Sequence, residues 1–209
     1  MFPGTLSNHA HDTLALLGKQ NLLKTAYLAG GSSLALQLGH RSSIDFDFFS
    51  ENDFSSKNVN KQLKKIGSYT VENETPKTMV GKFNEVKFSL FYYPYHLIGL
   101  KKPYEGVFLA SPEDIAAMKL VAITDRGTKK DYIDLYFLAN KRCNFDEMFK
   151  FYEKKYHLLK SNLVTLIKSL SYFVDADGSE MPEMITKISW NEVREFFKKE
   201  TTRLGNKYL

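Results

Sequence analysis

The stretch that most restricts the fold begins at a short apolar run, Ala26-Tyr27-Leu28-Ala29, which stops at Gly30-Gly31-Ser32-Ser33. A strand entering a glycine-rich turn is the simplest reading, with a short helix over Leu34 to Leu38 behind it and Gly39 placed to end that helix. Ser43-Ile44-Asp45-Phe46-Asp47-Phe48-Phe49 then alternates. As a strand it puts Ile44, Phe46 and Phe48 on one face and Asp45 and Asp47 on the other.

The surrounding pattern extends this into an α/β arrangement over the first half. Residues 8–24 read as a helix, with Leu14, Leu16, Leu17, Leu22 and Leu23 as its apolar positions. Residues 57–67 read as a lysine-rich amphipathic helix, followed by strands around Tyr69-Thr70-Val71-Glu72 and from Phe83 to Tyr93. The second half changes character at Ser111-Pro112-Glu113-Asp114, where a capping serine, a proline at the first helical position and two acids in the first turn mark a helix start. Helices fit 112–125, 130–140, 145–156, 157–173 and 189–203, with Asp175-Ala176-Asp177-Gly178 breaking the series. The expected layout is an α/β unit at 1–110 and a helical unit at 111–209.

Composition excludes several classes. In 209 residues there is one cysteine, Cys143, so neither an intramolecular disulfide nor a multi-thiolate zinc site can form, and a reducing, cytoplasmic setting is expected. Apolar runs fall far short of the ~20 residues that span a bilayer, and the first 25 residues lack the basic start and apolar core of an export signal. No membrane partner is expected. The net charge of +5 is unevenly spread: residues 61–110 carry eight basic and four acidic side chains, whereas 1–60 carry four and five. The excess lysines suit either a solvated face or a polyanionic partner.

The chemistry-bearing residues form two groups. Asp45 and Asp47, emerging on one strand face, can share a divalent cation that relieves their repulsion and accepts phosphate oxygens. Upstream, Gly30, Gly31, Ser32 and Ser33 open a helix where backbone N–H groups and the helix dipole favour an anion, and two missing Cβ atoms let phosphate approach. Arg41 stands between these features, able to neutralise a triphosphate or to hold the turn. The G-x-x-x-x-G-K-[ST] pattern is absent, which excludes a P-loop. The second group lies in the helical half. Ile115, Lys119, Ala122 and Arg126 share a helix stripe, and Asp131 and Asp134 on the next helix can pair with Lys119 or Arg126. Such pairing is equally what a structural ion network between two helices requires.

The segment Leu28 to Phe49, together with Leu109-Ala-Ser-Pro-Glu-Asp-Ile-Ala-Ala-Met-Lys119 and Lys130-Asp131-Tyr-Ile-Asp134, resembles the AbiEii/AbiGii-type nucleotidyltransferase toxins of the polymerase-beta-like superfamily. The resemblance implies a minimal nucleotidyltransferase fold, a mixed sheet flanked by helices, followed by a C-terminal helical domain. It assigns the triphosphate to Gly31 and Ser32, Mg²⁺ or Mn²⁺ to Asp45 and Asp47, and site-completing roles to Lys119 and Asp131, with Asp134 beside them. It further implies a nucleoside triphosphate substrate, an RNA acceptor such as tRNA, and a cognate antitoxin in a toxin–antitoxin or abortive-infection system. Many members of the superfamily carry a third carboxylate on the strand after the D-x-D pair. Here Lys87 and Ser89 occupy that region, and Glu85 shares their face near the expected strand start. Either Asp131 supplies the missing function, or the chain is a nucleotide- or antitoxin-binding module. A protein or small-molecule hydroxyl as acceptor is a further alternative.

Overall fold

The computed structural model describes residues 1–19 and 23–209. The chain forms two compact units, Met1–Ser111 and Pro112–Leu209. Among the described residues the first unit holds seven strands: β1 (Ala26–Leu28), β2 (Phe46–Ser50), β3 (Tyr69–Thr75), β4 (Thr78–Phe83), β5 (Val86–Tyr92), β6 (Lys102–Tyr104) and β7 (Val107–Leu109). They make one mixed sheet in the order β3-β4-β5-β2-β1-β7-β6. β1 runs antiparallel to β2 and parallel to β7, while β2 runs parallel to β5. Three helices, α1 (Asn8–Gly18), α2 (Gly30–Leu38) and α3 (Ser56–Ile66), complete the unit. The expected mixed sheet flanked by helices is therefore present.

Period-two patterning decides which face of the sheet is dry. In β2 the buried positions are Phe46, Phe48 and Ser50, alternating with half-buried Asp47 and Phe49. Phe46 pairs with Phe88 and Phe48 with Leu90 on β5, so the same face continues across the sheet into Leu28, Met79 and Leu109. These residues share a core cluster with Leu14 and Leu17 of α1 and Val59 and Leu63 of α3. Each of those two helices opens on a serine whose hydroxyl accepts from a backbone N–H, Ser7 from Ala10 and Ser55 from Asn58. The opposite face, bearing Asp47 and Phe49, stays half-exposed.

Several expected elements are redrawn. The first helix ends at Gly18 rather than 24, Leu23 is buried beyond it, and the expectation for Leu22 lies outside the described residues. α2 starts at Gly30, so the Gly-Gly-Ser-Ser segment is the first helical turn and not a loop before it. β2 starts at Phe46: Asp45 and Ile44 precede it, and Ile44 is 61% exposed rather than on the buried face. The strand expected over 83–93 is two strands. Phe83 ends β4, and Asn84 and Glu85, at φ of 46° and 63°, make the left-handed two-residue turn that suits a tight hairpin. The alternation changes phase at this turn, from buried Met79, Gly81 and Phe83 to buried Val86, Phe88 and Leu90, which one continuous strand could not do. β6 and β7, three residues each, are joined by a second such turn at Glu105-Gly106. Gly106 is required there, because a Cβ would stand 2.6 Å from the Gly18 carbonyl oxygen.

The second unit consists of helices: α4 (Pro112–Asp125), α5 (Lys129–Lys141), α6 (Phe145–Tyr156), α7 (Leu159–Ser169), α8 (Val174–Gly178) and α9 (Trp190–Tyr208). The Asp175-Ala176-Asp177-Gly178 segment, expected as a break, is itself the short helix α8, with Ala176 buried. Tyr132 organises the core, meeting the rings of Phe173, Trp190 and Phe197 at 5.0–5.8 Å, with its hydroxyl 2.6 Å from the carbonyl oxygens of Ser169 and Tyr172. Burial and the nearby carboxylates of Asp131, Asp175 and Asp177 push that phenol far above its ordinary range, so it remains a hydrogen-bond donor.

A fully buried ion pair joins α6 to α4, Lys155 Nζ donating to Asp114 Oδ1 at 2.7 Å. Removing one partner leaves a charge without compensation in a low-dielectric interior. Lys155→Met is expected to cost about 3–5 kcal/mol of unfolding free energy, and adding Asp114→Leu to recover most of it. Urea denaturation of the three proteins checks both expectations.

Candidate active site

The first cluster is built where β1 ends and β2 begins. The Ala29 N–H donates to the Asp47 carbonyl at 3.0 Å, extending the antiparallel pairing of the two strands. That bond fixes the start of α2 beside Asp47. Gly30 adopts φ of 62°, and a Cβ there would lie 3.3 Å from Asp47 Oδ2. Both the backbone conformation and the approach of the carboxylate explain glycine at this position. At Gly31 a Cβ would fall 2.3 Å from Arg41 Nη2 and 3.3 Å from Ser43 Oγ, so a side chain there would displace the guanidinium.

Arg41 therefore lies flat against the opening turn of α2. It is almost wholly buried, and its Nη1 donates to the Ser42 carbonyl at 3.0 Å. Ser32 fastens the same loop: its hydroxyl bonds to the Asp45 carbonyl oxygen and lies 2.9 Å from Ser43 Oγ. The backbone of Asp45 is thus tied to the helix start, just as that of Asp47 is tied to β1. Ser33 has a different place. It is fully buried, and Gln37 Nε2 donates to its hydroxyl and to the Ala110 carbonyl. Gln37 and Ser43 carry the support of this cluster, yet nothing in their sequence spacing distinguishes them.

Gly30, Gly31, Asp45 and Asp47 all remain partly exposed. The opening turn of a helix, with its positive dipole end, thus lies close to the Asp47 carboxylate at Gly30, while the Arg41 guanidinium lies against Gly31. The donor set also fits a hard divalent cation. Two carboxylates, completed by phosphate oxygens and water, are how Mg²⁺ is ordinarily held in nucleotide sites, without an all-protein cage. Among the described residues no group of three or more His, Cys, Asp or Glu is placed to hold a metal.

The register of β5 settles what stands beside Asp47. Ser89 is its partner on the parallel neighbour strand, Lys87 is exposed two residues earlier, and Glu85 lies in the hairpin turn instead of on the strand face. The neighbouring strand supplies no third carboxylate at that position.

The second cluster lies within the helical unit. Lys119 Nζ sits 2.7 Å from both Asp131 Oδ1 and Asp134 Oδ2, and all three side chains are buried. Asp131 Oδ2 accepts from the Thr128 N–H at 3.1 Å and from its hydroxyl at 2.7 Å, so Asp131 also caps α5. Thr128-x-x-Asp131 is a capping pattern that the sequence displays openly. Burial alone would raise the Asp131 pKa, but the Lys119 ammonium and the hydrogen bonds from Lys119 and Thr128 outweigh it and hold the carboxyl below its ordinary range. Arg126 is exposed just past the end of α4.

The chain matches the profile of the family described as nucleotidyl transferase AbiEii toxin, type IV TA system, over residues 13–109 and 91–205. The uncharacterized protein aq_aa25 of Aquifex aeolicus (strain VF5) is 40% identical over 181 residues, covering 83% of this chain and 85% of that protein. Two solved structures share the fold. JHP933 from Helicobacter pylori superposes with a TM-score of 0.59 at 19% identity, over 97% of this chain and 94% of that one. MenT4, a nucleotidyltransferase toxin from Mycobacterium tuberculosis H37Rv, gives 0.57 at 13% identity, over 95% and 86%.

Asp131 yields a signed pH expectation. Its lowered pKa contributes stability that is complete above the ordinary carboxylate pKa near 3.9 and is lost as pH falls below it. Lys119→Met reverses the sign, because carboxylates buried without their cation favour protonation. That variant is expected to lose about 3–5 kcal/mol at pH 7 and less at pH 4. Thermal melts of both proteins across pH 3–8 check this.

Proposed function

We propose a mechanism from one premise: the chain belongs to the AbiEii family of nucleotidyltransferase toxins of type IV toxin–antitoxin systems. It is a nucleotidyltransferase that moves a nucleoside monophosphate from a nucleoside triphosphate to an acceptor hydroxyl, with RNA, tRNA among it, as the acceptor. The observation that carries this reading is the Gly30 backbone facing Asp47 across a gap that a single Cβ would fill.

In this reading the opening N–H groups of α2, with Gly31 and Ser32, receive the triphosphate. Asp45 and Asp47 would hold Mg²⁺, or Mn²⁺, which when bound neutralises developing phosphate charge. The acceptor hydroxyl gives its proton to a carboxylate or water as its oxygen bonds to the α-phosphorus, the bond to the oxygen bridging the α- and β-phosphates breaks, and pyrophosphate leaves with that electron pair. Arg41 keeps the loop in place through its packing on Gly31. Lys119 and Asp131 enter through the family resemblance, the lysine offsetting phosphate charge and the aspartate orienting the attacking hydroxyl. Asp131 is suited to that task by being ionised at neutral pH. Lys57, Lys61, Lys64 and Lys65 line the exposed side of α3 and give a polyanionic acceptor a salt-sensitive contact. A cytoplasmic setting suits these substrates, and among the described residues no helix is long and apolar enough to cross a membrane. The family also implies a cognate antitoxin.

Ser89 beside Asp47, where a third carboxylate would serve catalysis, favours one competing reading: a nucleotide- or antitoxin-binding module that does not turn over. The two separate cleanly. Purified protein incubated with Mg²⁺, each α-labelled nucleoside triphosphate and bulk tRNA is expected to label RNA, and Asp45→Ala or Asp47→Ala to lower the rate at least ~10²-fold. Triphosphate binding with no transfer to any acceptor selects the binding module. Label on protein bands or small molecules instead moves the acceptor to another hydroxyl.

A further inference from the structure

The face of β2 that carries Asp47 continues in one direction through Phe49 and, just beyond the strand, to Glu51. Four residues of extended chain separate Asp47 from Glu51, about 13 Å at ~3.3 Å per residue. Between them the face is aromatic. Phe49 stacks on Tyr27 at 6.1 Å with ring planes 21° apart, and it meets Phe91 at 5.4 Å and Tyr93 at 5.3 Å. Tyr93 continues the series to Tyr95 at 4.9 Å. Phe49, Phe91 and Tyr93 are half-exposed and Tyr95 exposed, a state that the dry face of the same sheet does not show.

The series ends, through Tyr27, at a cavity of about 500 Å³ whose lining includes Lys24, Glu51, Asn52, Lys101 and the apolar Leu97 and Leu100, all from the first unit. That volume falls within the range of ligand sites. Glu51 is committed to shaping it: Oε1 accepts from the Leu97 N–H at 2.7 Å, and Oε2 lies 3.5 Å from His96 Nδ1. Lys101 is steadied with its ammonium 4.9 Å from the centre of the Phe108 ring. Lys24 and Lys101 outweigh the single carboxylate, so the cavity wall is cationic, in contrast to the acidic start of the strand.

Rings followed by cations along one line are what a single-stranded nucleic acid needs: a π-surface for bases and positive charge for the backbone. We infer that this cavity binds a backbone phosphate of the acceptor RNA strand, upstream of its attacking end, with a base lying on the Phe49–Tyr93 surface. The inference rests on the RNA reading of the acceptor and adds where the strand runs. Two lysines and an amide in that wall, beside exposed rings, match a phosphodiester strand better than an apolar peptide.

The test uses the full chain, a 5′-labelled twelve-nucleotide single-stranded RNA, and anisotropy titrations at several salt concentrations. Lys24→Glu/Lys101→Glu is expected to weaken RNA binding at least tenfold and to make the salt dependence shallower by about 0.7, for the one single-strand phosphate no longer neutralised. The same variant should raise KM for RNA while moving KM for the triphosphate less than twofold. Tyr93→Ala, on the ring surface, should weaken binding without changing the salt slope. Thermal melts equal to wild type exclude misfolding, and the milder Lys24→Gln/Lys101→Gln pair serves if the reversed charges do not fold. Wild-type RNA labelling with an unaltered double variant overturns this inference and leaves the proposed function standing. No RNA binding or labelling by wild type removes both. Competition by a nucleoside monophosphate as strong as by the oligonucleotide also overturns it, assigning the cavity to a free phosphate.

Discussion

One backbone hydrogen bond, from Ala29 to the Asp47 carbonyl, brings the start of α2 and the Asp45–Asp47 carboxylates together. It is the last rung of the β1–β2 ladder, and everything around it follows from the strands diverging there. β1 passes directly into α2, whose first N–H groups have no partner within the helix. β2 begins with its carboxylate level with that opening. A rung formed one residue earlier or later would turn Asp47 to the dry face of the sheet, because side chains alternate along a strand. The alternation of Phe46 and Phe48 with Asp47 locks the register, since a slip would bury the carboxylate and expose two phenylalanines.

The two units manage charge in opposite ways. In the first, Asp45 and Asp47 stay partly open and are held through their backbones, which keeps the carboxylates at the surface. In the helical unit, charge is internal and paired: Lys155 with Asp114, and Lys119 between Asp131 and Asp134. Both lysine clusters involve α4, so that helix is held on two sides by ion pairs that solvent does not screen. Well-packed apolar side chains would serve stability as well. The charged alternatives fix which turn of α4 meets which turn of its neighbours.

The layout was legible wherever periodicity was long. α3 to α6 could be bounded within a residue or two, because caps and apolar spacing agree there. Short strands were not: β6 and β7 offer three residues each, too few for alternation to register, and the Asn84-Glu85 turn shows only as a one-residue change of phase between Phe83 and Val86. The carboxylate pair and the glycine turn could be singled out, because such residues are chemically unusual at those positions. Their supports could not. Ser43, Gln37 and Thr128 act through contacts set by the folded backbone, and of these only Thr128 leaves a local signature, three residues before Asp131. The sequence places Ser33 in the cradle by adjacency, whereas the helix begins at Gly30 and rotates Ser33 inward.

Gly31 and Arg41 make one unit of shape from two separate positions. The guanidinium occupies the space that any side chain at 31 would need. A larger residue at 31 would push the guanidinium from its place, and a smaller residue at 41 would open a hollow beneath the turn.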